Sequence, residues 1–502
     1  MVDKQSNDFE CLSIGDLADG LDKRIFTSSE LVTYFTDKIT REDKDFNSIA
    51  FVNPDAAFVA QKMDDERAAG QLRGVLHGIP IVIKDNIDTA DKMMTTAGSL
   101  ALDGARVQRD ANLVSRLREG GAIILAKTNL SEWANFRSTK SCTGWSSRGG
   151  QVRNAYAIDR TPGGSSSGSA VAVARSFCAG AIGTETDGSI VVPAAMNSLV
   201  GIKPTVGMVS RTGVIPISFS QDTAGPIAKT VTDASTILSV LMGHDPADSS
   251  SKDLKQGFPR KFTQGFNRNA LKGKRIGVVR NYSGFQNAVD KIFDEALCLM
   301  KEDGAEIVDD ISLPDQQTIR PHEIKVMRTE FKVSLNAYLA GSTNQNGIHS
   351  LSDLINFNEQ NAQNVMPYFQ QEQLIAAEAT NGLDDPDYIA ALKECRRLTR
   401  EEGIDKALLD HSCCALVAPT TSTPWAIDFL NGDNRIGGSS CLAAVSGYPS
   451  VTVPMGYVSG LPTGLSFIGR AWEDYLIIDL AYAFEQISMV RCPAGNPERF
   501  LN

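Results

Sequence analysis

The chain has 502 residues, 42% hydrophobic and 22% charged, with a formal net charge of −11. That length supports a large buried core, while the acidic balance repels phosphate backbones and sets nucleic acid aside as a partner. No window reaches the roughly 18 apolar residues a membrane span needs, and the nine cysteines have no metal-ligand spacing, so they read as reduced, mostly buried thiols in a cytoplasmic setting.

Met1–Glu10 is polar and holds no apolar stretch of the kind a secretion signal carries. Residues 12–70 read as helical: Thr27-Ser28-Ser29-Glu30 is a capping signal ahead of Leu31, Tyr34, Phe35 and Ile39 on one face, and 54–70 continues in a charged, alanine-rich style. The texture then changes. Gly78-Ile79-Pro80-Ile81-Val82-Ile83 suits a strand buried on both faces. Ala122-Ile123-Ile124-Leu125-Ala126 is a second such run, after a helix at 111–119 that Gly120-Gly121 ends. Helix alternating with buried strand is the α/β pattern.

Residues 170–182 read as a helix of small apolar residues able to pack closely, and 245–270 as a polar surface excursion. A strand at 275–279, a helix near 286–303 and a strand at 306–308 follow. Residues 315–410 are mainly helical and polar, a peripheral layer, and buried-strand texture returns at 415–418, 450–453 and 465–468. The chain leaves a central sheet and comes back to it, so 1–502 reads as one large domain with an elaborated middle.

Three segments carry candidate chemistry: Lys84-Asp85-Asn86, Pro162–Ser169 and Gly183–Ile190. Five apolar residues lead directly into Lys84, which places it at the carboxyl end of a buried strand, where open α/β sheets put their ligand crevice. Burial disfavours an ammonium, and work as a base near neutrality requires a fall of about 3 pH units from near 10.4. The Gly/Ser cluster runs straight into a packed helix, which argues against a linker, and it lacks the Gly-Lys-Ser/Thr ending of a phosphate loop. It is expected to let backbone approach a substrate while its hydroxyls face one point. Gly188 before Ser189 suggests a tight turn, with N–H groups of Thr186, Asp187, Gly188 and Ser189 as candidate oxyanion donors. A serine nucleophile needs a base. The histidines at 77, 244, 322, 349 and 411 lack a nucleophile-elbow setting, and His77, at the far end of the Lys84 strand, reads as structural. No His-Glu-x-x-His or Cys/His cluster supports a metal, and no cofactor is expected.

In these segments the chain resembles the amidase signature family. The likeness runs from about Gly78 to Asp233, through Lys127-Thr128-Asn129, residues 163–169, Ser189 and Gly201-Ile202-Lys203-Pro204-Thr205, with Tyr448–Pro454 and Gly460-Leu461-Pro462 as weaker matches. The resemblance implies a central mixed β-sheet covered by helices on both faces and a Ser–cis-Ser–Lys triad. The lysine falls on Lys84, the bridging serine on Ser165 and the acyl-enzyme nucleophile on Ser189. Thr184 would support Ser165, and the carbonyl of Ala134 would receive the substrate amide. Asp187 and Val191 depart from the glycine and arginine of many members. With Asn129–Phe136 and Ile215–Pro226, that variant is similar to the peptide amidases, which release the C-terminal amide of a peptide as ammonia. The implied partner is thus a small-molecule or peptide amide; the alternatives are a general aryl, aliphatic or fatty amide amidase, or a glutamine-hydrolysing component of a tRNA-dependent amidotransferase.

Overall fold

A computed structural model describes residues 9–254, 265–495 and 500. Most of the polar start (1–8) and part of the polar excursion (255–264) lie outside the described residues. The strands are β1 (Ile49–Val52), β2 (Pro80–Lys84), β3 (Ile123–Thr128), β4 (Trp145–Ser146), β5 (Gly150–Gln151), β6 (Gly180–Glu185), β7 (Val200–Lys203), β8 (Thr223–Ala228), β9 (Arg275–Val279), β10 (Glu306–Ile311), β11 (Ala415–Pro419), β12 (Ser450–Val458) and β13 (Leu461–Ile468). Eleven of them form one sheet in the order β1-β3-β2-β6-β8-β7-β12-β13-β11-β9-β10, while β4 and β5 pair separately. The large sheet is mixed: β3, β2 and β6 run parallel, as do β11, β9 and β10, and antiparallel pairs join the two groups. Helices flank it in one α/β domain.

The apolar runs became strands because each loses all its side chains to the interior. Every residue of β2, β3 and β6 is buried, which removes any period-2 alternation. The expected cap at Thr27 forms: its hydroxyl accepts from Glu30 N (3.1 Å) and the Glu30 carboxylate accepts from Thr27 N (2.7 Å).

Two expected boundaries move. Residues 12–70 are not continuously helical: helices Ile14–Asp22, Ser28–Glu42 and Ala56–Ala68 are interrupted by β1, which pairs antiparallel with β3. The helix expected over 170–182 runs over Ser167–Ala174, and Gly180-Ala181-Ile182 opens β6 instead. A fully buried run of small residues has no period to distinguish strand from helix.

The helical layer at 316–410 does more than cap the sheet. Met327, Phe331 and Leu335 of helix Gln316–Ala340 share an apolar cluster with Trp133, Phe136, Ile215 and Ile217. The outer layer therefore packs against the loop that leaves the carboxyl end of β3 and the loop that joins β7 to β8.

Candidate active site

Parallel pairing sets the centre of the site. Ile83 of β2 lies opposite Ile182 of β6, so the two strands deliver Lys84 and Thr184 to the same edge of the sheet. Lys84 is fully buried. Its Nζ donates to Ser165 Oγ (2.7 Å), Thr184 Oγ1 (2.8 Å) and the Thr184 carbonyl (3.2 Å). Asn86 Nδ2 donates to the same Thr184 hydroxyl at 3.0 Å, fixing it. Burial pulls the Lys84 ammonium down to about 7, and the negative charges of Glu185 and Asp222 offset part of that fall. A neutral amine keeps two N–H bonds and one lone pair. The two bonds to Thr184 would occupy both hydrogens, leaving the lone pair aimed at the Ser165 hydroxyl.

The Gly/Ser loop differs from expectation in one respect: its hydroxyls do not converge. Ser166 Oγ donates to the Thr184 carbonyl (3.1 Å), Ser167 Oγ to the Gly163 carbonyl (2.6 Å) and Ser169 Oγ to the Ile182 carbonyl (3.1 Å). These three close backbone positions of their own loop and of β6, and only the Ser165 hydroxyl meets Lys84. The Gly164–Ser165 peptide bond is cis, and the Ser165 carbonyl accepts from Ser131 N at 3.2 Å. Gly168 lets the following helix seat here, because a Cβ would lie 2.2 Å from the Ser48 carbonyl and 2.6 Å from that of Asn129.

Ser189 follows β6 in the turn the sequence suggested, with Gly188 at φ +81. Ser166 N donates to the Ser189 carbonyl at 3.2 Å, so the two serine loops are joined through backbone. The first turn of helix Val191–Met196 is pinned by Glu185, whose Oε2 accepts from Ile190 N (2.7 Å) and Val191 N (3.0 Å). Burial raises the Glu185 carboxyl, with the Lys203 ammonium pulling the other way. Val191 is fully buried with Val192, Met196 and Trp425. The Asp187 carboxylate accepts from Ser440 Oγ (2.7 Å) and pairs with Arg320 (3.4 Å).

Ala134 also lines the cleft, on a segment with unusual backbone: Trp133, Ala134 and Asn135 have φ of 51, 50 and 70. Three successive left-handed non-glycine residues cost on the order of 1 kcal/mol each. Packing of Trp133 in the outer apolar cluster holds them there.

The cleft, of about 120 Å³, is lined by Ala134, Thr186, Asp187 and Ser189, and also by Ile217, Arg320, Met327, Trp425, Asp433 and Arg435. The second group was not assigned from sequence. No local signal marks these residues, since an arginine on a helix or a tryptophan in a loop reads as surface or core. Glu185 did have a signal: a carboxylate that closes the apolar and small-residue run Gly180-Ala181-Ile182-Gly183-Thr184. His77 is buried and structural, its ring bonding the Met63 carbonyl (2.9 Å) and Arg73 N (3.2 Å). Among the described residues no group of three His, Cys, Asp or Glu side chains is arranged to hold a metal ion, and no helix is long and apolar enough to cross a membrane.

A family model described as Amidase matches residues 30–478. The fold superposes on a peptide amidase, solved in complex with the competitive inhibitor chymostatin, with a TM-score of 0.93 and 46% identity, covering 97% of this chain and 99% of that one. A probable amidase of Arabidopsis thaliana is 39% identical over 96% of this chain and 91% of its own. A glutamyl-tRNA(Gln) amidotransferase subunit from Pseudomonas syringae pv. syringae is 33% identical over 96% of this chain and 99% of its own.

Proposed function

Because the chain belongs to the amidase family and is an amide-hydrolysing enzyme of the peptide-amidase type, we propose that it converts the C-terminal amide of peptides to the free acid and ammonia through Ser189, Ser165 and Lys84. The observation that carries this reading is a fully buried lysine whose Nζ lies 2.7 Å from Ser165 Oγ. Neutral Lys84 takes the proton of Ser165 while Ser165 takes that of Ser189. Ser189 Oγ adds to the amide carbon, and the negative oxygen is received by N–H groups of the Thr186–Ser189 turn, each essential donor contributing about 3–4 kcal/mol. The proton then returns through Ser165 to the departing nitrogen, the C–N bond breaks, and ammonia leaves an ester on Ser189. Water adds to that ester with the same relay as base and releases the acid.

The peptide as substrate class is supported by the 46% likeness to a peptide amidase that binds chymostatin. In this reading the carbonyl of Ala134, a residue on a left-handed segment of the cleft wall, would accept from a substrate amide N–H. The test is ammonia release from a short peptide amide, its free-acid twin, an aryl amide and free glutamine. Ammonia from the peptide amide alone is the expected result. Brisk turnover of the aryl amide with none of the peptide amide replaces this reading by a general amidase, and turnover of glutamine alone by a component of an amidotransferase.

A further inference from the structure

The helix Gln316–Ala340 places a carboxylate, Glu323, at 0% exposure behind the nucleophile turn. An ionisable side chain in that position is a costly choice for packing alone, since an apolar residue of similar volume is often neutral or stabilising. Its partners explain it. Glu323 Oε1 accepts from Gln221 Nε2 (3.3 Å), and the same Nε2 donates to the Thr186 carbonyl (3.2 Å). Glu323 Oε2 accepts from Arg320 Nη1 (2.9 Å), and the same Nη1 reaches Asp187 Oδ2 (3.4 Å). One buried carboxylate thus fixes the two side chains that grip successive residues of the turn, one by backbone and one by side chain.

We propose that Glu323 is a positioning residue for the reaction: through Gln221 and Arg320 it holds the Thr186–Ser189 turn in the conformation that receives the oxyanion. The role rests on the reading of that turn given under the proposed function. The chain of contacts explains why Arg320 and Glu323, more than 130 positions after the nucleophile, pack on this loop, and why the glycine of many relatives is an aspartate here: Asp187 gives Arg320 a handle that glycine lacks. The titratable and charged groups facing Glu323 are Arg320 on its own helix, Asp187 on the turn, Cys395 of helix Pro386–Arg396 and Cys441 of helix Ser440–Ser446. Burial, and then the Asp187 charge, raises the Glu323 carboxyl to about 7. Its grip therefore strengthens over the same pH range in which Lys84 becomes neutral.

Glu323→Gln keeps the shape and the acceptor for Gln221 but removes the charge that holds Arg320; Gln221→Leu leaves Glu323 and Arg320 paired and cuts the link to Thr186. With a peptide amide, each variant is expected to lower kcat by about tenfold or more while KM stays within about threefold, as displacement of a transition-state donor requires. The acid limb of log kcat against pH is expected to be steeper than one proton in the wild type and to fall to one proton in E323Q. Stoichiometric labelling of Ser189 by a sulfonyl fluoride checks that the nucleophile is present and folded; if E323Q fails to label, Q221L carries the kinetic test. Full labelling with unchanged kcat and unchanged slope overturns the positioning role alone. A wild type that turns over amides but is never labelled at Ser189 overturns the assignment of the turn, and the role of Glu323 with it.

Discussion

Replacing Lys84 by methionine keeps the length of the side chain and removes its amine, which isolates the cost of burying the base. The fall of the ammonium from 10.5 to about 7 in a fully buried site corresponds to about 5 kcal/mol, at roughly 1.4 kcal/mol per pH unit. Between those two values the folded chain binds fewer protons at position 84 than the unfolded chain does, so this residue makes wild-type stability rise with pH. Methionine binds none in either state and lacks that slope. The stability of K84M relative to wild type is therefore expected to fall by about 3 kcal/mol between pH 6 and pH 9.5, the accessible part of the titration. Loss of the bonds to Ser165 and Thr184 adds an offset of about 1 kcal/mol each, which does not vary with pH and so leaves the slope intact. Urea unfolding of both proteins at five pH values, compared at equal m, measures the difference. A difference that stays flat across this range means an ordinary amine at position 84, and the general-base role falls with it.

Wild-type kcat/KM on a peptide amide is expected to drop about tenfold per pH unit or more steeply below pH 7, because only neutral Lys84 can accept a proton; a profile that peaks at pH 5 contradicts this. Glu185→Gln removes a negative charge that favours the Lys84 ammonium while its amide oxygen still accepts from Ile190 and Val191, so the acid limb is expected to move to lower pH, read directly from the same profile. Ser189→Ala is expected to abolish the acyl-enzyme seen by mass spectrometry after an acid quench. Ser165→Ala should lower kcat by about a thousandfold or more, since members of a relay fail together; wild-type burst kinetics in S165A would remove it from the reaction.

The departures from the expected elements have a common origin. The strands β7 and β8 do not stand out in the sequence, and β6 merges there with a helix, because four to six fully buried residues with Gly, Ala or Thr among them carry no period of their own; β1 is only half-buried and, at four residues, too short to show one. The pairing partners that make them strands lie far along the chain: Ile49 against Thr128, and Gly183 against Gly225. The convergence expected of the serine hydroxyls fails for a related reason. Which carbonyl Ser166 or Ser169 reaches depends on how β6 lies against the loop, a relation between two segments that neither one encodes.

What the sequence determined by itself was local. An apolar run ending in a lysine fixes both a buried strand and the burial of its last side chain, so the lowered amine follows from the order of residues 79–84. The glycines at 163, 164 and 188 mark where backbone must turn or be approached closely, and so mark the loops that carry Ser165 and Ser189. Only the tertiary structure decided what surrounds them. Arg320, Trp425, Asp433 and Arg435 reach the cleft from more than 100 positions away, and Glu323 stands behind its wall on Gln221 and Arg320. The left-handed run Trp133–Asn135 exists because the outer helices hold Trp133 in place. Hydrophobic order along a chain prescribes which side chains leave water, whereas the pairing of one buried charge with another is set only when separate elements are packed together.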